Sequence, residues 1–287
     1  MILSMNIHKG FTSFNRRFVL SELRDAVRHV GADILFLQEV LGQHALHAKR
    51  VAGWPTQSHY EFFADTIWPN FAYGRNAVYE AGDHGNALLS KFPILHYDNI
   101  DVSVSGDEQR GLLHGVLRPA ADKPELHVIC VHLGLRTRQR NLQLQQLCAA
   151  IERLIPVDAP LIVAGDFNDW RGAAHQYLFD NAGLSEVFIT ANGHAARTFP
   201  ARWPLLALDR IYLRNATVSQ PLVLPRRPWS HLSDHLPVAA QIQLCTPYPQ
   251  HRPQPVLCRP IASIYWKAVN SIFPPCSPRS RKPGKKY

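Results

Sequence analysis

The run Leu161-Ile162-Val163-Ala164-Gly165-Asp166-Phe167-Asn168-Asp169-Trp170 constrains this chain more than any other stretch. Its first four residues are apolar and unbroken, the pattern of a buried strand, and Gly-Asp-x-Asn follows at once. Two residues apart on extended backbone, Asp166 and Asn168 project together. Such a pair suits the handling of a metal-activated water and a phosphoryl oxygen. Gly, Asp and Asn are also ordinary turn formers, so the run alone reads equally as a turn. What decides between them is whether other strands end in the same way.

Several do. Ile2 to Ile7 alternates Leu3, Met5 and Ile7 against Ser4, Asn6 and His8, which gives one core face and one face carrying Asn6 and His8. Lys9-Gly10 closes that strand. Ser21 is the expected cap of a helix with Leu23, Ala26, Val27 and Val30 on one side and Gly31 at its end. Asp33 to Val40 is an apolar run that ends in Glu39. Burying a lone carboxylate there is costly unless a cation offsets it, and the alternative is that Glu39 caps a helix over Leu41 to Val51. Residues 54–79 are rich in aromatics and broken by Pro55 and Pro69, reading as part strand and part substrate-side loop, although core packing would use the same rings.

His84 to Ile94 is a strand with His84 and Asn86 on its entry side. After a turn at Ser105-Gly106-Asp107, two antiparallel neighbours are expected, opened by Arg110 and closed by His132. A helix over Thr137 to Leu154, with Leu142, Leu144, Leu147, Ile151 and Leu154 among its apolar positions, leads into the Gly-Asp-x-Asn strand. A short helix covers Ala173 to Asn181, and an irregular aromatic loop covers Thr198 to Pro204. Asp209 begins a strand that runs to Leu213, and Ser233-Asp234-His235 precedes a closing strand to Leu244.

Each polar strand end has a plain alternative: a turn partner, a core histidine, a cap, a loop. Together they define a chemistry. Oxygen donors with no cysteine cluster suit Mg²⁺ or Mn²⁺ rather than zinc or iron–sulfur, and an Arg, an Asn and two His can neutralise and protonate a phosphodiester.

Composition limits the alternatives. Five cysteines with no Cys-x-x-Cys pair indicate neither a disulfide framework nor a zinc site, and fit a reducing cytosol. No signal-peptide pattern and no apolar run of membrane-spanning length is present, so a cytoplasmic protein is expected. The first strand starts almost at Met1, which leaves no leader and points to a translation start further upstream. The net charge is +9, yet residues 245–287 hold 8 Lys/Arg and no Asp/Glu, leaving 23 basic against 22 acidic residues before them. The body is nearly neutral, so the overall charge is no sign of a nucleic-acid-binding face on it.

On these motifs the chain resembles the endonuclease/exonuclease/phosphatase superfamily of deoxyribonuclease-I-like, metal-dependent phosphoesterases. The residues that carry the resemblance are Met5-Asn6-Ile7-His8, Leu37-Gln38-Glu39-Val40, Gly85-Asn86-Ala87-Leu88-Leu89-Ser90, Val131-His132-Leu133, Gly165-Asp166-Phe167-Asn168, Leu208-Asp209-Arg210-Ile211 and Ser233-Asp234-His235-Leu236-Pro237. It covers residues 1–244 and is especially close to uncharacterised bacterial members that share the Asn6-Ile7-His8-Lys9-Gly10-Phe11 opening.

The resemblance implies an α/β fold, a four-layered α/β/β/α sandwich of two mixed, largely antiparallel sheets. It implies that Asn6 and Glu39 hold Mg²⁺ or Mn²⁺, Glu39 directly, with Asp234 assisting. Asp166 would orient or deprotonate the attacking water, and Asn168 would contact the phosphoryl group. His235, paired with Asp209, would donate to a phosphate oxygen or take part in proton transfer. Asn6 and Arg110 would bind phosphate, Arg110 neutralising its charge. His132 matches the position where deoxyribonuclease-like members carry a general acid and abasic-site nucleases carry a tyrosine, which leans away from abasic repair.

The expected substrate is a phosphodiester of DNA or RNA, cleaved by a monomer. The alternatives are a phospholipid or phosphoinositide, and, more remotely, a non-catalytic binding module, which the retention of Glu39, Asp166, Asp209 and His235 disfavours. The 245–287 segment has nine prolines and reads as a mostly disordered tail. Within it a short amphipathic helix over 261–273, followed by Arg279, Arg281, Lys282, Lys285 and Lys286, could touch an anionic surface such as the inner membrane face. A disordered solubilising tail reads the same way.

Overall fold

The computed structural model describes residues 1–64, 67–105 and 108–244. The tail expected over 245–287, with its stretch at 261–273, and part of the turn at 105–107 lie outside the described residues.

In chain order the strands are β1 (Ile2–Asn6), β2 (Ile34–His44), β3 (Asn70–Tyr79), β4 (Gly82–Ser90), β5 (Ile94–Asp101), β6 (Gly111–Leu117), β7 (Leu126–His132), β8 (Leu161–Asp166), β9 (Ser185–Glu186), β10 (Asp209–Arg214), β11 (Ala216–Val223) and β12 (Val238–Leu244). The helices are α1 (Leu20–Val30), α2 (Ala45–Arg50), α3 (His59–Phe63), α4 (Thr137–Leu154), α5 (Ala173–Ala182), α6 (Val187–Asn192) and α7 (Arg226–Trp229). They form two six-stranded sheets, ordered β11-β12-β1-β2-β4-β3 and β5-β6-β7-β8-β10-β9. Each sheet contains one parallel pair, β1 with β2 and β7 with β8; the other pairings are antiparallel. A parallel pair needs a crossover, and α1 and α4 supply the two.

Strand alternation then divides the apolar residues into three layers. Leu3, Met5, Leu35 and Leu37 pack outward with Leu20, Leu23 and Val27 of α1. Ile129, Val131, Leu161 and Val163 pack outward with Leu144, Leu147, Cys148 and Ile151 of α4. Their sequence neighbours Ile2, Phe36, Val128, Cys130, Ile162 and Ala164 meet between the sheets. This is the four-layered sandwich. On α4, Leu142 and Leu154 face outward, 38% and 37% exposed, so the buried stripe is narrower than its leucines suggest.

Two local expectations are corrected. Ser21 does not cap α1: the helix starts at Leu20, Val19 stands at the cap with no side-chain hydrogen bond, and Gly31 ends it in the left-handed conformation, φ 71°. Glu39 does not cap a helix either. β2 continues to His44, whose Nδ1 accepts the His47 N–H at 3.1 Å and so caps α2. The reason is the antiparallel partner β4, which holds β2 extended beyond Val40 through a register shift between Leu37 and Val40.

That shift places Glu39 in a left-handed conformation, φ 54°, costly for a residue with a side chain. Gly165 marks the other tight place. Its φ is 148°, and a Cβ there would lie 1.9 Å from the Val131 carbonyl oxygen, so only glycine lets β8 lie this close to β7. Among the described residues no helix is long and apolar enough to cross a membrane.

Candidate active site

Parallel pairing brings strand ends side by side. β1 ends at Asn6 beside Gln38, immediately before Glu39, and β7 ends with His132 level with Asp166. Across the other edge of β8, Asp209 is level with Asp166 as well. The Ser233-Asp234-His235 loop closes the group: Ser233 Oγ donates to the Asn6 carbonyl oxygen at 2.8 Å and accepts the His235 N–H at 3.2 Å.

Asp166 lies at the centre. Asn6 Nδ2 donates to Asp166 Oδ2 at 3.2 Å and to Glu39 Oε1 at 3.1 Å, so one amide links carboxylates from both sheets. His132 Nε2 is 3.6 Å and His235 Nε2 3.8 Å from Asp166 Oδ2. The Asn168 N–H donates to Asp166 Oδ1 at 2.9 Å. His235 Nδ1 sits 2.8 Å from Asp209 Oδ2.

The charges follow from these contacts. Burial pushes the Asp166 carboxyl above the usual carboxylate range. Burial opposes a charge on His235, yet Asp209 and Asp166 outweigh it and hold the imidazolium well above its ordinary value. His132 is shifted the other way, well below its ordinary value, by burial and by the nearby Arg110. The two histidines flanking Asp166 are thus shifted in opposite directions.

Two of the expected site residues, Asn6 and Asn168, are held by hydrogen bonds within the protein. The Asn6 oxygen accepts the His8 N–H at 2.9 Å, so its amide nitrogen, not its oxygen, faces the carboxylates. Asn6 thereby holds Glu39 in place. Asn168 Nδ2 donates to the Leu133 carbonyl at 2.9 Å, which fixes the turn and leaves its second N–H for a phosphoryl oxygen. The neighbouring Asp169 is structural; its Oδ2 accepts the Ala174 N–H at 2.7 Å at the start of α5.

Glu39 and Asp234 converge on a residue that alternation alone placed on the Asn6 face without a role. His8 Nδ1 is 3.2 Å from Asp234 Oδ2 and 4.0 Å from Glu39 Oε2. The Asp234 hydrogen bond raises the His8 pKa despite partial burial. Two carboxylates thus meet beside His8, and such a pair of oxygen donors, with no thiolate near among the described residues, suits a hard divalent cation. A second group, Asp166, Asp209 and His235, has its ligand atoms within 4.8 Å of one another. There the imidazolium already supplies the positive charge.

Glu39 and His132 also border a cleft of about 390 Å³, together with Arg110, His84 and Lys9. Arg110 is 9% exposed; its Nε has no partner, and one terminal nitrogen donates to the Gln109 carbonyl at 3.2 Å. It precedes β6 rather than opening it. Lys9 and His84 are further residues that sequence reasoning left without a function.

Comparison with known proteins shows the family and the fold. The model of the endonuclease/exonuclease/phosphatase family matches residues 3–235. The chain is 57% identical over 243 residues to a protein of Escherichia coli (strain K12) named "Uncharacterized protein YbhP", covering 85% of this chain and 96% of that one. Among solved structures, an endonuclease/exonuclease/phosphatase from Beutenbergia cavernae superposes with a TM-score of 0.70 at 16% identity, covering 86% of this chain and 72% of the other. Danio rerio TDP2 complexed with a single-strand DNA product gives 0.62 at 19% identity over 84% and 98%. The mannosyl-6-phosphatase Bt3783 of Bacteroides thetaiotaomicron gives 0.63 at 16% over 85% and 99%. At such identities these structures share the fold.

Proposed function

The chain belongs to the endonuclease/exonuclease/phosphatase family of phosphoric ester hydrolases, and on that premise we propose that it is a Mg²⁺-dependent phosphodiesterase of nuclease type, acting on DNA or RNA by in-line attack of water. The observation that carries this reading is the position of Asp166: buried, bonded to Asn6 and to the Asn168 N–H, with a histidine on either side. Its raised pKa suits a group that takes a proton from water near neutral pH.

The donor set fits a hard cation at Glu39 with Asp234. Bound there, Mg²⁺ or Mn²⁺ neutralises charge on a phosphoryl oxygen. The protein's own groups do the rest. Asn6 keeps Glu39 and Asp166 at fixed separation, so water and phosphorus approach in one geometry. The His235 imidazolium, oriented by Asp209, donates to a phosphoryl oxygen as negative charge accumulates. Arg110 adds a buried positive charge with no ion-pair partner among the described residues. On this reading the rest of the substrate extends into the cleft that His132 borders, which assigns His132 to the leaving oxygen. It is neutral before substrate arrives, and the negative charge of a bound phosphate would draw its pKa upward.

A phospholipid or phosphoinositide substrate is the second reading. The observation in its favour is the nearly neutral body, since binding a nucleic-acid backbone rests on Lys/Arg. Relatives of one fold that include a DNA-product complex and a sugar-phosphate phosphatase leave the fold silent on the choice.

The test is a panel on purified protein in Mg²⁺, Mn²⁺ or EDTA: supercoiled plasmid, single-stranded DNA, RNA, sphingomyelin, phosphoinositides and a chromogenic phosphodiester. Hydrolysis of nucleic acid that EDTA abolishes is expected. Turnover of lipid alone would replace the nuclease reading with the second one.

A further inference from the structure

The cleft is larger than one reacting phosphoryl group needs. Its volume of about 390 Å³ falls in the roughly 300–1,000 Å³ range of sites that hold a whole small molecule. Where it leaves Glu39 and His132, its wall becomes basic. Arg110 is buried with an unpartnered Nε, and His84 is half-buried with an unpartnered Nδ1. Burial and the charge of Lys9 push the His84 pKa down to about 4, so it is a neutral donor. Lys9 makes no ion pair among the described residues.

The backbone that presents Lys9 is strained. His8, Lys9 and Gly10 have φ of 45°, 56° and 79°, a run of left-handed residues of which only the last is glycine. Strain of this kind persists where surrounding contacts impose it, commonly at ligand sites. Here it turns the chain after β1 so that His8 meets Asp234 while the next side chain lines the cleft. Besides Glu39, the wall carries one other carboxylate, Glu108, which is exposed and makes no salt bridge among the described residues, although its charge favours that of Arg110.

We propose that Lys9 and His84, which line the cleft together with Arg110, bind a second phosphate group of the substrate. Two cations and a neutral N–H donor match a phosphate with several acceptor oxygens. The inference rests on the hydrolytic reading above and specifies it further: the preferred substrate carries another phosphate beside the one that is cleaved. That phosphate could be a neighbour along a polynucleotide or a second phosphate on a glycerol-based headgroup. A local subsite also accounts for how an almost neutral body could select a polyanion without a broad basic face.

The experiment uses the full chain with Mg²⁺ and two pairs of nitrophenyl phosphodiesters. One pair is built on a nucleoside and one on glycerol, each with and without a second phosphate. The second phosphate should raise kcat/KM about tenfold or more in at least one pair, the scale of one or two charge-assisted contacts. Lys9→Asn, which tolerates the left-handed backbone, should reduce that preference to within about twofold and change the singly phosphorylated ester by less than about threefold. Lys9→Arg should restore the preference. Preference in the nucleoside pair indicates a polynucleotide source, and in the glycerol pair a headgroup source. No preference in either pair, or equal loss on both members with Lys9→Asn, overturns the subsite.

If no ester is hydrolysed, the catalytic reading fails and binding decides the subsite separately. Calorimetry in EDTA would compare a nucleoside bisphosphate and a glycerol bisphosphate, each with the corresponding monophosphate. Tighter bisphosphate binding that Lys9→Asn removes sustains the subsite; equal affinities overturn it.

Discussion

His235 Nδ1 lies 2.8 Å from Asp209 Oδ2, and both groups are buried, so the ring is fixed with its other nitrogen 3.8 Å from Asp166. A carboxylate in this position orients the imidazole and stabilises its charged form. Asp209→Asn should therefore lower the His235 pKa, and the proton should be lost at a lower pH. The expected result is a fall in kcat of at least about 10²-fold and an alkaline limb of the pH–rate profile displaced toward acid. NMR titration of the His235 ring would provide an independent reading. An alkaline limb that stays in place would remove the orienting role.

Glu39→Ala and Asp166→Asn test the two sheets' contributions separately. Each should reduce turnover by at least about 10²-fold with the fold retained. Activity of protein stripped with EDTA and then restored with Mg²⁺, alongside circular dichroism of the same samples, makes the comparison. Near-wild-type rates in either variant would contradict its assignment.

His132 should matter most when the leaving oxygen needs a proton. On an alkyl phosphodiester His132→Ala should lose most of its kcat/KM; on a nitrophenyl ester, whose oxyanion is stable unprotonated, much of the rate should return. His235→Ala should show no such rescue. Equal losses of His132→Ala on both esters would make His132 a core histidine closing a strand.

His59 gives a prediction about stability. It is buried against Trp54 and Phe18, ring centroids 4.8 and 5.9 Å away, with no partner for either nitrogen, and burial pushes its pKa down to about 3. The unfolded chain takes up this proton near pH 6.5 and the folded chain refuses it until near pH 3, so the unfolded state binds more protons in between. Stability should fall as pH drops through that window. Thermal denaturation of wild type and His59→Phe across it should show a shallower acid loss in the variant; parallel curves would mean that His59 is not responsible.

How much of this was legible in the sequence depended on whether the signal was local. The Gly165-Asp166-Phe167-Asn168 strand end and the α4 limits are local patterns found where expected, while β1 alternates as read but stops at Asn6 and is buried on both faces, because the second sheet covers the side that carries Ser4 and Asn6. The α3 helix was also legible, since Ser58 and Glu61 form a capping box, but Pro55 and the surrounding aromatics obscured it. By contrast, the left-handed Glu39 depends on a register shift against β4, more than forty residues away in sequence. The same is true of His8: its spacing placed it beside Asn6, but only the fold brings Asp234 to it.

The reacting groups come from both sheets. In one, Asn6 ends β1 and Glu39 sits at the register shift within β2; in the other, Asp166 and His132 end strands, and Phe36, Leu88, Val128, Cys130 and Ile162 fill the space between. Those side chains lie between the sheets, and their combined thickness sets how far Glu39 stands from Asp166. The interior acts as a gauge block. A core residue exchanged for one slightly larger or smaller would leave the protein folded and the ligand held while the reacting atoms meet at the wrong distance, a fault visible in turnover before it is visible in stability.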